Sequence, residues 1–208
     1  LSLATLIAHN QEVKRLFAKG DRQALLDLLA PVYKRLQNKF GVAQLHFHIP
    51  PGKSFLRVHN PEKFGDSLSY RSAIMSAMKS SVTSIGEASL ARGLTGLSIR
   101  GIVPVHYEGV LIGTVEVGYP FDWIFLRFMK FTWEPNFAVY EKNSQAVFAL
   151  LESCQIKDKM IPLSQAQARL IGETPEIMIA PEKYPDRSVL LGQLMDYRGD
   201  IYLLILKI

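Results

Sequence analysis

The clearest pattern in the chain is a pair of short segments in which apolar and polar residues alternate. The segments are Leu45–Ile49 and Ser54–His59, and the sequence Pro-Pro-Gly separates them. Alternation over five or six residues predicts half-buried strands, and Pro-Pro-Gly predicts the turn between them. Because side chains two residues apart share one face of a strand, this hairpin is predicted to have one apolar and one polar face.

The two predicted faces differ in chemistry. The apolar face carries Leu45, Phe47, Ile49, Leu56 and Val58. The polar face is predicted to carry His46, His48, Phe55, Arg57 and His59. An arginine, three histidines and a phenyl ring are the groups that a pocket for a polar ligand uses.

The first 40 residues have the periodicity of helices. Their apolar positions are Leu3, Leu6, Ile7, Val13, Leu16, Phe17, Leu25, Leu28, Leu29, Val32, Leu36 and Phe40. Gly20 and Asp21 predict a helix stop followed by an N-cap, and Gly41 is predicted to end the second helix. Pro31 is predicted to kink or restart that helix. We expect the apolar stripe to form core or a dimer seam.

The middle of the chain is predicted to contain a helix, a loop and a second hairpin. The helix begins at Asp66 or Ser67, either of which can act as an N-cap, and runs to about residue 82. Residues 86–96 are predicted to form a loop of small residues, and residues 97–118 two strands joined at Glu108-Gly109. Arg100 and Glu116 on these strands are predicted to pair with each other or to face solvent.

The C-terminal third reads as a second module. Residues 121–131 predict an aromatic amphipathic helix between the modules, with contact to a membrane surface as the alternative. Strands are predicted at 137–142, 145–151, 176–180, 188–197 and 200–207, and a helix after Ser164 has a capping box with Gln167. Because this third has no histidine, we expect it to transmit a signal rather than to bind a ligand.

Composition narrows the class of protein. Of 208 residues, 48% are hydrophobic and 21% charged, which is typical of a globular chain. The net charge of +5 is spread along the chain, without the basic stripe and exposed aromatics of a nucleic-acid interface, so no nucleic-acid partner is expected. The single cysteine excludes an intrachain disulfide and suits either a cytosolic protein or a bacterial extracytoplasmic domain.

No apolar run approaches the roughly 20 residues of a membrane span. The chain begins without an initiator methionine or signal peptide and ends on the apolar run Ile201–Ile208. We therefore expect a domain excised from a longer protein.

Motifs of catalysis are absent from the sequence. There is no G-x-S-x-G elbow, P-loop or Rossmann fingerprint, and Cys154 is predicted to be a small buried hydrophobe rather than a nucleophile. The chain is therefore predicted not to be an enzyme and to have no cofactor. His46 and His48 form a possible metal site, with His59 or His106 adjacent, since histidine pairs on strands occur in zinc sites. The alternative is that these histidines form hydrogen bonds on a wet sheet face.

Two motifs resemble the double Cache sensory domain of bacterial membrane receptors. They read F-H-I-P-P…S-F-L-R-V-H-N-P-E-K-F-G-D and G-L-S-I-R-G-I-V-P-V-x-Y-x-G-x-x-I-G-T-V-E-V-G, within residues 45–118. Such domains occur on chemoreceptors, sensor histidine kinases and cyclic-di-nucleotide enzymes. The chain departs from the family at residues 85–95, where G-E-A-S-L-A-R-G-L-T replaces a glycine-rich pattern.

The resemblance implies an α+β fold with a long N-terminal helix plus two PAS-like (Cache) modules, whose antiparallel sheets are arranged in series. It implies a helical stalk at 1–41, a membrane-distal ligand-binding module at 42–119 and a membrane-proximal module at 120–208. It also implies a periplasmic location, a full-length protein anchored in the inner membrane and a homodimer paired through the N-terminal helices.

We therefore predict a sensor for a small anionic or polar molecule bound in the distal module. Arg57 is the first candidate contact because its fork of donors suits a carboxylate, phosphate or sulfonate; the alternative is a salt bridge to Asp66, Glu87 or Glu116. The other predicted ligand-binding residues are His46, Phe47, Phe55, His59, Tyr70, Arg100 and Tyr107. Two alternatives stay open: a metal-responsive module using His46 and His48, and a domain that recognises a periplasmic binding protein.

Overall fold

The computed structural model describes the backbone of residues 1–79, 87–93, 96–121, 136–142, 148–153, 176–179, 189–195 and 201–207, and the side chains of residues 1–79 and 97–121. The chain divides into two compact units, Leu1–Pro120 and Phe121–Ile208. Each unit contains a five-stranded sheet in which all described strand pairs are antiparallel. The prediction of a mixed fold of helices and antiparallel sheets is therefore confirmed.

The N-terminal region forms three helices: α1 (Ser2–His9), α2 (Gln11–Ala18) and α3 (Arg22–Phe40). The predicted boundary at Gly20-Asp21 is confirmed, since the Asp21 side chain accepts a hydrogen bond from the amide of Ala24 at 3.0 Å. An additional break lies at Asn10, whose side chain caps α2 through the amide of Val13. The N-terminal region thus has three helices, where the apolar pattern predicted two and the family resemblance implied one long helix. The extra break lies at Asn10 because a side chain that competes for backbone amides favours a cap over a helix interior.

Helix α3 ends as predicted, with Gly41 in the left-handed region at φ 69°, a conformation that glycine adopts without strain. Pro31 lies inside α3 and does not end it. Leu25 and Leu29 are buried, whereas Leu28, Val32 and Phe40 are exposed. The predicted apolar stripe is therefore core only in part.

The first sheet has the strand order β2-β1-β5-β4-β3. Its strands are β1 (Gln44–Ile49), β2 (Lys53–Arg57), β3 (Glu87–Gly93), β4 (Gly96–Tyr107) and β5 (Val110–Pro120). The predicted loop at 86–96 is wrong, because residues 87–93 pair with β4 from Glu87 opposite Ile102 to Gly93 opposite Gly96. The small residues of this segment gave no sign of the pairing.

The main hydrophobic core lies between one face of this sheet and helices α1–α3. Phe47 of β1 is fully buried there, and its ring lies 5.2 Å from that of Phe17 in an edge-to-face arrangement. Strands β4 and β5 contribute valines to the same core: Val103, Val105, Val115 and Val117. The central strands are close-packed on this side, since a Cβ added at Gly113 would lie 2.1 Å from the carbonyl oxygen of His48.

Helix α4 (Ser72–Lys79) covers the other face of the sheet, where Ile74 and Ala77 pack with Leu68 and Ile102. The predicted start of this helix at Asp66 or Ser67 is wrong. The segment before it pairs with the outer edge of β2 instead, with hydrogen bonds from Ser54 N to the Asp66 carbonyl and from Gly65 N to the Ser54 carbonyl, both 2.9 Å. This pairing covers an edge that would otherwise expose unpaired backbone groups.

The second unit contains β6 (Asn136–Lys142), β7 (Phe148–Ser153), β8 (Glu176–Ile179), β9 (Val189–Met195) and β10 (Ile201–Lys207). Their order in the sheet is β7-β6-β10-β9-β8, and the five strands predicted in this third are confirmed. The predicted helices at 121–131 and after Ser164, and Cys154, lie outside the described residues. Among the helices that are described, none combines the length and the apolar character needed to cross a membrane.

Candidate functional site

The sheet face beneath α4 is polar and yet buried. Residues paired directly across antiparallel strands share a face, and the pairs here are His46 with Glu116 and His48 with Thr114. The buried polar and charged residues of this region are Gln44, His46, His48, Ser54, Arg57, Arg71, Ser98, Arg100, Thr114 and Glu116. The sheet therefore buries apolar side chains on one face and mainly hydrogen-bonding groups, together with Ile102, on the other.

Glu116 is the centre of this polar face. Its side chain is fully buried, and its Oε1 accepts a hydrogen bond from Arg100 Nη1 at 2.9 Å and another from the Gln44 amide. Its Oε2 accepts from Arg71 Nη1 at 2.9 Å. The donors come from β1, from β4 and from the segment just before α4, so a single carboxylate joins three parts of the first unit.

The surroundings of Glu116 fix its charge. Burial by itself would raise its pKa, but the guanidinium groups of Arg71 and Arg100 outweigh burial and lower the pKa to about 2. The carboxylate is therefore ionised at neutral pH. Burying charged groups in place of packed apolar side chains is an expensive way to stabilise a core, so a cluster of this kind is a candidate functional site.

Two neutral histidines lie beside Glu116. His46 Nε2 is 2.8 Å from Ser54 Oγ and His48 Nδ1 is 2.9 Å from Thr114 Oγ1, and the two ring centroids are 4.1 Å apart. Burial lowers the pKa of His48 to about 3 and that of His46 well below its usual value. His48 Nε2 lies 3.6 Å from Glu116 Oε2 and forms no hydrogen bond with the residues that the structure describes.

His46, His48 and Glu116 could together hold a metal ion, since each offers one ligand atom and these atoms lie within 4.8 Å of one another. Both imidazoles are neutral, and each uses its other ring nitrogen on a hydroxyl, as metal-binding histidines do. The arginines oppose a cation, however, because both guanidiniums are hydrogen-bonded to Glu116. With both histidines neutral, the two guanidiniums and one carboxylate give this cluster a net positive charge, which disfavours a metal ion.

Arg57, the first ligand candidate from sequence, pairs with Asp66. Its two terminal nitrogens donate to the two carboxylate oxygens at 2.6 and 2.8 Å, and Nη1 also donates to the Lys63 carbonyl at 2.7 Å. The hydrogen bonds from Arg57 to the Asp66 carboxylate lower the pKa of Asp66. The salt bridge that the sequence offered as the alternative for Arg57 is therefore present, and ligand contact by this residue stays a prediction.

The other predicted ligand residues are divided between the polar face and other places. Arg100 and His46 lie in the cluster, and His59 lies half-buried at its edge, where its Nδ1 donates to the Leu45 carbonyl at 3.2 Å and its ring is 6.2 Å from that of His46. Tyr70 is exposed. Tyr107 lies at the turn end of β4, near Arg15 of α2.

Phe47 and Phe55, the two phenylalanines predicted to bind the ligand, lie on the face of the sheet that packs against α1–α3. The placement of Phe55 on the polar face is wrong, because its ring packs 5.1 Å from that of Phe17 in the main core. The cause is a bulge between β1 and β2: His46 is opposite Arg57 but His48 is opposite Ser54, and one extra residue reverses the alternation of faces. Phe47 also packs in that core, as its position in the alternation indicated.

Sequence reasoning missed the roles of Gln44, Arg71 and Glu116. Gln44 shares the alternation of His46 and His48, so its position on the polar face was available from the pattern. Arg100 and Glu116 were predicted to pair, and the structure confirms this pair but also buries it. No local pattern in the sequence indicated the role of Arg71, because its contact with Glu116 spans 45 residues.

Comparison with known proteins gives a family and several solved structures of similar fold. Residues 1–174 match the family described as the double sensory domain of two-component sensor kinases. A domain of a sensory box/GGDEF family protein from Vibrio parahaemolyticus has a TM-score of 0.56 at 13% identity, covering 100% of this chain and 86% of its own. The sensor domain of the V. cholerae histidine kinase DctB has a TM-score of 0.55 at 14% identity, covering 98% and 86%.

The extracellular domain of the histidine kinase vpHK1S-Z8 has a TM-score of 0.54 at 12% identity, covering 100% of this chain and 82% of its own. No curated protein matches the chain by sequence. At these identities the solved structures establish a shared fold and leave the chemistry of the site to its own residues.

Proposed function

Because this chain belongs to the family of double sensory domains of two-component sensor kinases, we propose that it is the ligand-binding sensory domain of a bacterial transmembrane receptor. The first unit binds a small polar or anionic molecule, and the second transmits the signal. A related solved structure is an extracellular domain of a histidine kinase, which supports a periplasmic location and a full-length protein anchored in the inner membrane. The family is sensory, so no catalytic role is proposed.

One observation carries this proposal: two arginines from different parts of the chain converge on one buried polar face. Arg71 precedes α4 and Arg100 lies on β4, and both donate to the carboxylate of Glu116. Guanidinium groups bind carboxylates, phosphates and sulfonates through charge-assisted hydrogen bonds. The polar face therefore offers the donors that an anionic ligand needs, in a place shielded from water.

The proposed contacts follow from the position of each side chain. Arg71, Arg100 and His46 are the central contacts, and Arg57 and His59 lie at the edge of the same face. Movement of α4 and the segment before it over the sheet would connect ligand binding to helices α1–α3. Such a movement carries a signal only if the ligand binds one of the two states more tightly.

A thermal-shift screen tests the proposal directly. The purified chain is screened against small organic acids, amino acids, amines, inorganic anions and divalent metals. A molecule that binds only the folded chain raises its stability by about 2.7 kcal/mol at a hundredfold excess over Kd. We expect a rise in melting temperature with an anion and none with a metal.

Matched arginine variants locate the site. Arg100→Gln removes a positive charge from the polar face and should abolish the rise with the anion. Arg35→Gln removes the same charge from an exposed position on α3 and should leave the rise unchanged. An anion that stabilises Arg100→Gln as much as the native chain would contradict the proposed site.

The second candidate is a metal-responsive module, which the grouping of His46, His48 and Glu116 supports. A thermal shift with zinc or nickel that disappears in His46→Ala would favour it over the anion sensor. The third candidate is a domain that recognises a periplasmic binding protein, and the mutual hydrogen bonding of side chains on the polar face supports it. Absence of a shift with any small molecule would favour that reading.

We also propose that the receptor acts as a homodimer paired through its N-terminal helices. The exposed apolar residues Leu28 and Val32 on α3 support this pairing. Sedimentation equilibrium of the native chain and of a chain with both residues changed to serine tests it. The doubly substituted chain should have a higher dimer dissociation constant, so it should be monomeric at protein concentrations at which the native chain is dimeric.

A further inference from the structure

Both carboxylate oxygens of Glu116 already accept hydrogen bonds from the donors of the proposed site. Oε1 accepts from Arg100 and Gln44, and Oε2 accepts from Arg71. The side chain is fully buried, so these hydrogen bonds do not compete with water. A carboxylate of the protein thus sits where the carboxylate, phosphate or sulfonate of a ligand would find its guanidinium partners.

The backbones of Glu116 and Arg71 are fixed to different degrees. Glu116 lies on β5, which is hydrogen-bonded to β1 on one side and to β4 on the other, so its position is fixed within the sheet. Arg71 lies outside the sheet, in the segment that leads into α4. Loss of the hydrogen bond between Glu116 and Arg71 would therefore weaken the attachment of the segment before α4 to the sheet.

A second arginine–carboxylate pair in the same unit provides a contrast. Arg57 and Asp66 also form two short hydrogen bonds, but the Asp66 side chain is 39% exposed. Water and salt screen that pair, whereas they do not reach Glu116. Of these two carboxylates, Glu116 is the one placed to compete with a buried ligand.

We propose that Glu116 is a built-in anion that occupies the arginines of the ligand site and sets which molecules can bind there. This inference rests on the proposed anion-sensing function. A ligand binds by replacing Glu116 as the hydrogen-bond partner of Arg71, Arg100 or both. It must therefore form stronger charge-assisted hydrogen bonds with these arginines than a single carboxylate does. Weak monoanions are rejected, and ligands with several anionic oxygens are selected.

The test uses the complete chain and two simple probes, acetate and sulfate. Glu116→Gln keeps the size of the side chain and an oxygen acceptor but removes the negative charge. We expect this variant to bind sulfate more tightly than the native chain by on the order of tenfold in Kd, the change that about 1.4 kcal/mol produces. Acetate, which we expect the native chain to bind poorly or not at all, should also bind. Titration calorimetry measures both.

Asp66→Asn is the matched control, because it removes the carboxylate of the other arginine pair. It should change both affinities less than Glu116→Gln does, because its partner Arg57 lies only at the edge of the proposed site. An increase in affinity in Asp66→Asn but not in Glu116→Gln would overturn the inference and assign the competing role to Asp66.

The outcomes separate this inference from the proposed function. If the native chain binds an anion and Glu116→Gln loses it, Glu116 is itself a ligand contact; the competitor role is overturned and the anion sensor stands. If neither chain binds any anion, both proposals are overturned. Should Glu116→Gln fail to fold, Glu116→Asp decides, since its shorter carboxylate holds the arginines less well. Tighter sulfate binding by that variant supports the inference, and unchanged binding overturns it.

Discussion

Glu116 shows how one buried charge can organise several elements. Because its carboxylate accepts from Gln44 on β1, Arg100 on β4 and Arg71 before α4, the loss of its charge would affect the contact between α4 and the sheet as well as the proposed ligand site. Removing one partner of a buried ion pair commonly destabilises a protein by about 3–5 kcal/mol. If the polar face binds a ligand as proposed, the same residue links the stability of the first unit to ligand binding.

The buried histidines make the stability of the chain depend on pH. Burial lowers the pKa of His48 to about 3, against 6.5 for an ordinary histidine. Between these values the unfolded chain takes up a proton that the folded chain does not. Stability is therefore fully present above pH 6.5 and falls as the pH falls toward 3, by about 1.4 kcal/mol per pH unit for each such histidine.

His48→Gln should reduce the slope of the unfolding free energy against pH by the contribution of roughly one proton, about 1.4 kcal/mol per pH unit. The free energy of unfolding, measured by denaturant titration between pH 7 and pH 4, checks the slope. His9→Gln serves as the control, because it removes an exposed histidine of α1 and leaves the buried polar face intact. A native slope in His48→Gln would show that His48 is not held neutral in the folded chain.

At the scale of elements, two arginines clamp the segment between β2 and α4. Arg22, the first residue of α3, donates to the carbonyls of Phe55 and Pro61, and its guanidinium lies 3.9 Å from the centre of the Phe64 ring. Arg57 holds the same segment through Lys63 and Asp66. The segment next to the polar face is thus bonded both to β2 and to an N-terminal helix.

Arg22→Ala should loosen this segment without removing any part of the polar face. Two hydrogen bonds and a cation–π contact are lost, for which we expect a destabilisation of about 1–3 kcal/mol. Hydrogen exchange should speed up at the amides of Lys63 and Gly65, which are bonded within this region. Arg35→Ala, on the exposed part of α3, is the control. Unchanged exchange in Arg22→Ala would show that Arg57 and the β2 edge hold the segment alone.

Local patterns predicted the elements whose signals are local. Alternation identified β1, and Gly20-Asp21 and Gly41 marked helix boundaries, because caps and strand faces depend on neighbours in sequence. The bulge opposite His48 could not be seen in this way, since it arises in the pairing of two strands, and it moved Phe55 to the other face. The pairing of Arg71 with Glu116 is likewise a product of the tertiary fold, so the centre of the site came only from the structure.

At the scale of the whole molecule, the first unit contains a complete core and the whole described polar face. The main core joins helices α1–α3 to strands β1, β2, β4 and β5, and the buried polar residues lie between Gln44 and Glu116. A unit of this length is within the size range of independently folding domains. The strands of the second unit form a sheet of their own.

Residues 1–120 should therefore fold alone and keep the proposed ligand site. The excised unit should unfold cooperatively in denaturant, and it should bind the anion found in the thermal-shift screen with the Kd of the complete chain, because the proposed contacts from His46 to Arg100 all belong to it. Arg100→Gln in the same fragment is the control and should fold without binding. A folded fragment that does not bind the anion would show that residues beyond 120 contribute to the site. The proposal that the first unit binds the ligand and the second transmits the signal would then be wrong.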